Sequence, residues 1–137
     1  KQCRRSFGDR DMMPILTHDQ FNQAGIEAAL EYSGGTHRFE HVRDAVIRGE
    51  LQYWQSGNSF VITELETYPL RRVCHMFLGG GSLDGVRAIL REIEPWALTQ
   101  GCSAVTMSGR RGWLRSFLVD EGYAERWVGM AKELGNG

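Results

Sequence analysis

Apolar side chains in the first third of the chain recur at the three- and four-residue spacing of helices. The spacing predicts a first helix over residues 18–32, opened by a capping box of Thr17 and Gln20. A second helix follows, capped by Thr36, and Gly49 supplies its left-handed stop. The chain therefore opens with two amphipathic helices.

After the second helix the pattern changes to the two-residue period of strands, rich in aromatic and β-branched side chains. Residues 51–54 and 59–67 are predicted strands, and the turn residues 56–58 join them as a hairpin. Pro69 ends the second strand, and residues 72–78 give a third. Three consecutive strands predict an antiparallel meander.

The second half of the chain alternates helices and strands. A glycine run at 79–81 precedes a helical stripe that ends at Gly101, and a strand over 102–107 follows. This right-handed crossover makes its two strands parallel. A short helix over 111–121 and a last strand over 123–134 complete the order. The predicted fold class is α/β: a single domain with a mixed, mostly antiparallel sheet, one parallel βαβ crossover and helices on both faces.

Size and charge limit the functions that the chain can have. A length of 137 residues with 42% apolar residues is enough for one core, which we place over 13–137. Residues 1–12 are interpreted as an N-terminal extension or a tag remnant. Lys and Arg (16) nearly balance Asp and Glu (17), so a nucleic-acid-binding module is disfavoured.

Three widely spaced cysteines, Cys3, Cys74 and Cys102, indicate neither a disulfide framework nor a metal site. They fit a reducing compartment, and with no long apolar run we expect a cytoplasmic protein with no membrane association. Because the crossover makes its strands parallel, Cys74 and Cys102 are predicted to lie on neighbouring strands as buried free thiols.

The order of elements and three stretches, 73–83, 94–102 and 109–123, resemble the GNAT superfamily of N-acetyltransferases. The likeness is greatest to small GNAT-like proteins encoded by bacteriophages. It implies a GNAT-like domain that binds acetyl-CoA and transfers the acyl group to an amine, an acyl-CoA-dependent N-acyltransferase. A phage origin would add the virion as a location.

The glycine run is where the resemblance places the coenzyme. In the family, backbone N–H groups at the start of the following helix hold the CoA pyrophosphate, and glycines permit close approach. The corresponding residues here are Phe77, Leu78, Gly79, Gly80, Gly81, Ser82 and Leu83. Leu78 and Leu83 depart from the family pattern, which has Gln or Arg and a small residue there. The alternative is that the glycines only make a strand-to-helix turn.

One substitution tests this cradle. Gly81→Val is expected to block the pyrophosphate and abolish CoA binding, and the fold stays intact provided that the position needs no positive φ.

A base for the amine must come from the middle strands, where Glu64, Glu66 and His75 can accept a proton. We prefer Glu66 and His75 as the catalytic pair. The alternative is that His75 is a hydrogen-bonded sheet histidine and the carboxylates are solvated. Many family members use a tyrosine as the acid toward the thiolate, and Leu118 occupies the matching position.

Two hypotheses of different classes follow. The first is the acyltransferase, with an acyl-CoA and an amine as partners. The second is a catalytically degenerate GNAT-like scaffold that acts as a phage structural or accessory protein and binds a protein partner. The departures at Leu78, Leu83 and Leu118 favour the second, and a titration with acetyl-CoA distinguishes them.

Overall fold

The computed structural model describes residues 21–32, 34–108, 118–126 and 129–135. The helices and strands of this part of the chain are α1 (Gln23–Tyr32), α2 (Phe39–Ile47), β1 (Gln52–Ser56), β2 (Ser59–Thr67), β3 (Arg72–Gly80), α3 (Leu83–Thr99) and β4 (Ala104–Met107). The predicted succession of two helices, three strands, a helix and a strand is therefore confirmed over the described residues.

The four strands form one sheet in the order β1-β2-β3-β4. The first two pairs are antiparallel, while β3 and β4 are parallel because α3 carries the chain across the sheet between them. The mixed sheet with one parallel crossover is as predicted.

Two apolar clusters cover the two faces of the sheet. One lies beneath α1 and α2, around Phe39, Phe60 and Ile62. The other lies beneath α3, around Trp54 and Ile89. Alternate strand residues feed the two clusters, which is why helices lie on both faces.

The helix starts differ from the prediction. Asn22 caps α1, since its Oδ1 accepts the Gly25 N–H at 3.0 Å. The α2 start uses His41, whose Nδ1 accepts the backbone N–H of Arg38 at 2.9 Å. Thr36, the predicted cap, instead lies 2.6 Å from His37 Nδ1. Gly49 has φ 86°, the left-handed stop expected of it. The predicted capping box at 17–20 lies outside the described residues.

The last strand, predicted over 123–134, was wrong: residues 123–126 and 129–135 have no strand conformation. Tyr123 packs against the cluster beneath α3, but most of the other side chains are exposed, and Met130 and Leu134 are 94% and 85% exposed. Residues 118–122 form a turn, and Glu121 attaches it to α3 through Arg87 and Arg91. The rest of the predicted helix, 111–117, lies outside the described residues.

Cys74 and Cys102 are both buried and free, as predicted. Cys74 lies in β3, and Cys102 lies just ahead of the parallel strand β4. Burial raises the pKa of the Cys74 thiol to about 12, so it stays protonated and unreactive. In the described part of the chain, no helix is long and apolar enough to cross a membrane.

Candidate functional site

A β-bulge interrupts the pairing of β2 with β3. Ile62 pairs with Leu78 but the next residue, Thr63, pairs with Met76, so Phe77 is the extra residue on β3. Such a bulge bends the strand and increases its twist. The pattern of either strand alone does not predict the bulge, because it depends on the register between the two strands.

Beyond this bulge β3 and β4 separate. Their parallel pairing ends at Met76 and Met107, whereas β3 continues to Gly80 with β2 as its neighbour. In the described part of the chain no strand pairs with the other edge of β3 past Met76. That edge carries backbone N–H and C=O groups, which are obligatory hydrogen-bonding groups.

A groove with a volume of about 600 Å³ lies along this open edge. It reaches from Ala29 and Tyr32 of α1 on one face of the sheet to Val86 and Leu90 of α3 on the other. Its remaining lining includes His75, Phe77, Leu78, Gly79, Met107 and Leu118. A largely apolar cleft with a few polar groups is the usual form of a small-molecule site.

The seven predicted coenzyme residues divide into three groups, of which the third, Ser82 and Leu83, begins α3. Phe77, Leu78 and Gly79 line the groove. Gly80 and Gly81 instead pack against β2: a Cβ on Gly80 would lie 2.9 Å from the Phe60 ring, and one on Gly81 would lie 2.5 Å from Ser59 Cα.

Ser82 and Leu83 form the start of α3. Ser82 is the N-cap: its Oγ accepts the Gly85 N–H, and its own N–H donates to Ser59 Oγ at 2.9 Å. The Ser82 amide is therefore used within the protein. Leu83 and Asp84 occupy the first turn, and among the described residues no acceptor is hydrogen-bonded to their backbone N–H groups. The backbone N–H groups that remain open to a ligand thus belong to Leu83 and Asp84, which follow the glycine run.

Gly81→Val does not test the cradle as intended. Gly81 has φ 105°, a conformation that side-chain-bearing residues rarely adopt, and a Cβ would also collide with Ser59. The condition that the position needs no positive φ is not met, so this variant disturbs the fold. Gly85 also packs closely against β2, since a Cβ there would overlap Ser59 Oγ, and the sequence pattern did not indicate this contact.

Three polar residues form a row across neighbouring strands. Glu64 of β2 pairs with His75 of β3, which pairs with Thr106 of β4. His75 Nδ1 lies 2.8 Å from Thr106 Oγ1. Because the adjacent Leu65 and Val105 pack under α3, the row lies on the opposite face, the face of α1 and α2.

Of the two preferred bases, His75 lines the groove, whereas Glu66 is displaced from it. Glu66 pairs with Val73, and its Oε1 accepts the Tyr68 hydroxyl at 2.8 Å. The carboxylate opposite His75 belongs to Glu64, the third candidate. Counting residues outward from the four-residue loop 68–71 pairs Glu64 with His75, so this pairing could have been predicted from the sequence.

Burial raises the pKa of Glu64, and the neighbouring Glu66 carboxylate raises it further, while His75 and His37 act in the opposite direction. His37 reaches this region from the α1–α2 loop, where its ring packs edge-on against Phe77 at 5.1 Å. Together with its neighbours Glu66 and His37, the row thus forms a partly desolvated site with two carboxylates and two imidazoles.

Glu64→Gln is expected to stabilise the fold at neutral pH. A carboxyl whose folded-state pKa is raised favours the folded state below its unfolded pKa and loses that contribution as pH rises through the folded pKa. Glutamine does not ionise, so the urea midpoint of the Glu64→Gln variant should exceed that of the parent at pH 7. The two midpoints should converge near pH 4. Solvent screening keeps the gain below about 1 kcal/mol. The exposed Glu133→Gln is the control, and equal gains in both variants would contradict the assignment.

Leu118, which the resemblance matches to a tyrosine of many GNAT members, is buried and lines the groove. It has no proton to donate. Tyr123 lies nearby in sequence but donates its hydroxyl to Glu94 Oε2 at 3.2 Å, and burial followed by the Glu94 charge raises its pKa. Among the described residues, no three His, Cys, Asp or Glu side chains lie together in a way that could hold a metal ion.

No protein-family model and no curated protein sequence matches the chain. Solved structures do match it over nearly its full length. An aminoglycoside acetyltransferase from an uncultured soil metagenomic sample, in complex with sisomicin, has a TM-score of 0.68 at 10% identity, covering 97% of this chain and 95% of that protein.

Two further solved structures agree. An aminoglycoside N-acetyltransferase in complex with CoA has a TM-score of 0.64 at 10% identity, covering 98% of this chain and 94% of that protein. A probable acetyltransferase has a TM-score of 0.67 at 10% identity, covering 100% and 99%. At these identities the likeness establishes the fold, which is GNAT-like.

Proposed function

We propose that this protein binds acetyl-CoA, or a related acyl-CoA, in the groove beside β3 and transfers the acyl group to an amine. The observation that carries the proposal is the separation of β3 from β4 beyond Met76 and Met107, with a groove of about 600 Å³ along the open edge of β3. The GNAT-like fold shared with acetyltransferases, one of them in complex with CoA, supports it.

The groove offers a fit for each part of an acyl-CoA. The open edge of β3 over residues 77–80 can pair with the amides of an extended pantetheine arm, as an added strand would. The N–H groups of Leu83 and Asp84 lie in the first turn of α3, at the positive end of the helix, where a pyrophosphate is favoured.

His75 is the proposed general base, because it lines the groove and Glu66 does not. Its imidazole takes a proton from the amine as the nitrogen attacks the thioester carbonyl. The new C–N bond forms, the C–S bond breaks, and the thiolate leaves with the electron pair and takes up a proton from water. Leu118 cannot supply that proton. The Glu64 carboxylate opposite His75 stabilises the imidazolium that forms.

Calorimetric titration with acetyl-CoA tests the proposal, and a micromolar Kd is expected. Absence of saturable binding up to about 1 mM, an affinity weaker than about 4 kcal/mol, would overturn it. Turnover is then followed as free thiol, with sisomicin and spermidine as acceptor probes.

Gly79→Val is expected to weaken acetyl-CoA binding by at least about 100-fold, or about 2.7 kcal/mol. The position needs no positive φ, and a Cβ there would lie at ordinary distances, 3.6 Å from Phe60 O and 3.8 Å from Val61 Cγ2, so the fold should tolerate the change. The added methyls should fill the groove. Ala88→Val, on the exposed side of α3, is the matched control and should bind as the parent does. Equal binding by Gly79→Val would place the ligand elsewhere.

A degenerate scaffold is the competing function, and Leu118 in the groove favours it. Such a domain would keep the fold for binding a protein, for example as an accessory protein of a bacteriophage. The same titration decides, because a scaffold of this kind has no reason to retain micromolar affinity for acetyl-CoA.

A further inference from the structure

We infer that Ser59, the first residue of β2, is a positioning residue for the coenzyme. Ser59 does not line the groove, but it holds the start of α3 and so fixes where the N–H groups of Leu83 and Asp84 lie relative to the open edge of β3. The inference rests on the proposed function for its meaning toward acyl-CoA. The attachment itself can be measured without any ligand.

The hydroxyl of Ser59 accepts a hydrogen bond from the start of α3. The Ser82 N–H donates to Ser59 Oγ at 2.9 Å, and because a backbone N–H can only donate, Ser59 is the acceptor of this bond. Ser59 is 3% exposed, so the Ser82 N–H is directed into the protein and not toward a ligand. The bond joins the start of a strand to the start of a helix 23 positions later in the chain.

Two glycines let the helix approach this hydroxyl. A Cβ on Gly81 would lie 2.5 Å from Ser59 Oγ, and one on Gly85 would overlap the same atom. Gly81 precedes α3 and Gly85 lies in its first turn, so Ser59 Oγ lies against both sides of the helix start. The Gly85 N–H donates to Ser82 Oγ at 3.0 Å, so the N–H groups of Ser82 and Gly85 are both used inside the protein.

The consequence concerns the two N–H groups between them. Leu83 and Asp84 follow Ser82 directly, so a shift of the Ser82 backbone moves their N–H groups with it. Without the Ser59 hydroxyl the buried Ser82 N–H loses its acceptor, and the cost of an unpaired donor favours a shifted turn. Hydrogen bonds weaken steeply when their angle is lost, so a pyrophosphate on Leu83 and Asp84 should bind less tightly. A thioester arm along β3 should keep its contacts.

Amide hydrogen exchange of the ¹⁵N-labelled full chain tests the attachment without ligand. In the parent we expect the Ser82 N–H to exchange about tenfold more slowly than those of Leu83 and Asp84, to which no described acceptor is bonded. Ser59→Ala should remove this protection and leave that of Ile89, in the middle of α3, unchanged. A parent Ser82 N–H that exchanges as fast as its two neighbours would overturn the inference, even if the variant fails to fold.

Titration with acetyl-CoA tests the role toward the coenzyme. Ser59→Ala should weaken binding by at least about tenfold, the usual contribution of one hydrogen bond to a charged group. At saturation the amide shifts that acetyl-CoA causes should be lost at Leu83 and Asp84 and retained over 77–79. Ser56→Ala is the matched control, because Ser56 is the β1 partner of Ser59, and it should bind as the parent does.

Two results would overturn the positioning role. One is binding by Ser59→Ala within about twofold of the parent. The other is an equal loss of amide shifts at both ends of the coenzyme, because a merely destabilised fold would weaken both ends alike. If the exchange rates behave as expected but the parent does not bind acetyl-CoA, the proposed function fails while the attachment of α3 to Ser59 stands.

Discussion

Trp54→Ala is expected to lower the free energy of unfolding by about 3 to 5 kcal/mol. Trp54 is fully buried beneath α3, and its ring packs edge-on against Trp96 with centroids 5.2 Å apart. Its Nε1 donates to Thr63 Oγ1, which in turn donates to Gln52 Oε1 at 2.7 Å. The alanine would leave a large cavity and remove the donor to a buried hydroxyl.

Chemical denaturation with matched m-values measures the loss. Trp54→Phe is the comparison, because it keeps an aromatic ring in the core while it removes the N–H and the smaller part of the indole volume; its cost should be lower, about 1 to 2 kcal/mol. Total stabilities of about 5 to 15 kcal/mol are usual, so the alanine variant should be close to the limit of folding. A loss below about 1 kcal/mol would mean that β1 is not held under α3 as described.

Local sequence patterns predicted the central part of the fold well. Over residues 51–107 the two-residue alternation, the Ser56–Gly57–Asn58 turn and the amphipathic stripe of α3 all act over short distances, and each element begins and ends within two residues of its predicted bounds. The helix starts were less predictable, because several nearby polar residues can cap a helix. Asn22 and His41 do so here because tertiary packing sets where each helix begins.

The last strand was the main error, for a physical reason. Alternation over 123–134 indicates a strand only if one face is buried against a neighbour, and the side chains of Met130 and Leu134 are exposed. A pattern can supply an apolar face but not the surface that covers it.

The candidate site required long-range information. The residues Phe77, Leu78 and Gly79 were placed at the groove from the glycine run, yet the groove exists because β4 ends at Met107 while β3 continues. The order of Glu64 and Glu66 relative to His75 depends on hairpin register, in which a shift of one residue moves a side chain to the other face. The predicted strand ends on either side of the 68–71 loop already indicate the pairing of Glu64 with His75, but the bulge and the groove come from contacts between strands that no single segment specifies.

His75→Gln is expected to lower kcat for amine acylation by about 10²- to 10⁴-fold, the usual contribution of a positioned base. Glutamine is similar in reach and can still bond to Thr106 Oγ1, but its amide does not take up a proton at neutral pH. Acetyl-CoA affinity should change little, because the open edge of β3 and the start of α3 are untouched.

Steady-state rates of thiol release and calorimetric affinities of the same preparations separate the two effects. Glu66→Gln is the decisive comparison, since Glu66 was preferred equally from the sequence but bonds to Tyr68 and does not line the groove. Its kcat should fall by less than about tenfold, because it can act only through the charge it places near Glu64. If instead Glu66→Gln is nearly inactive and His75→Gln is close to the parent, the general base is the Glu66 carboxylate and not His75. A proton would then pass to Glu66 through a water rather than directly to an imidazole at the groove.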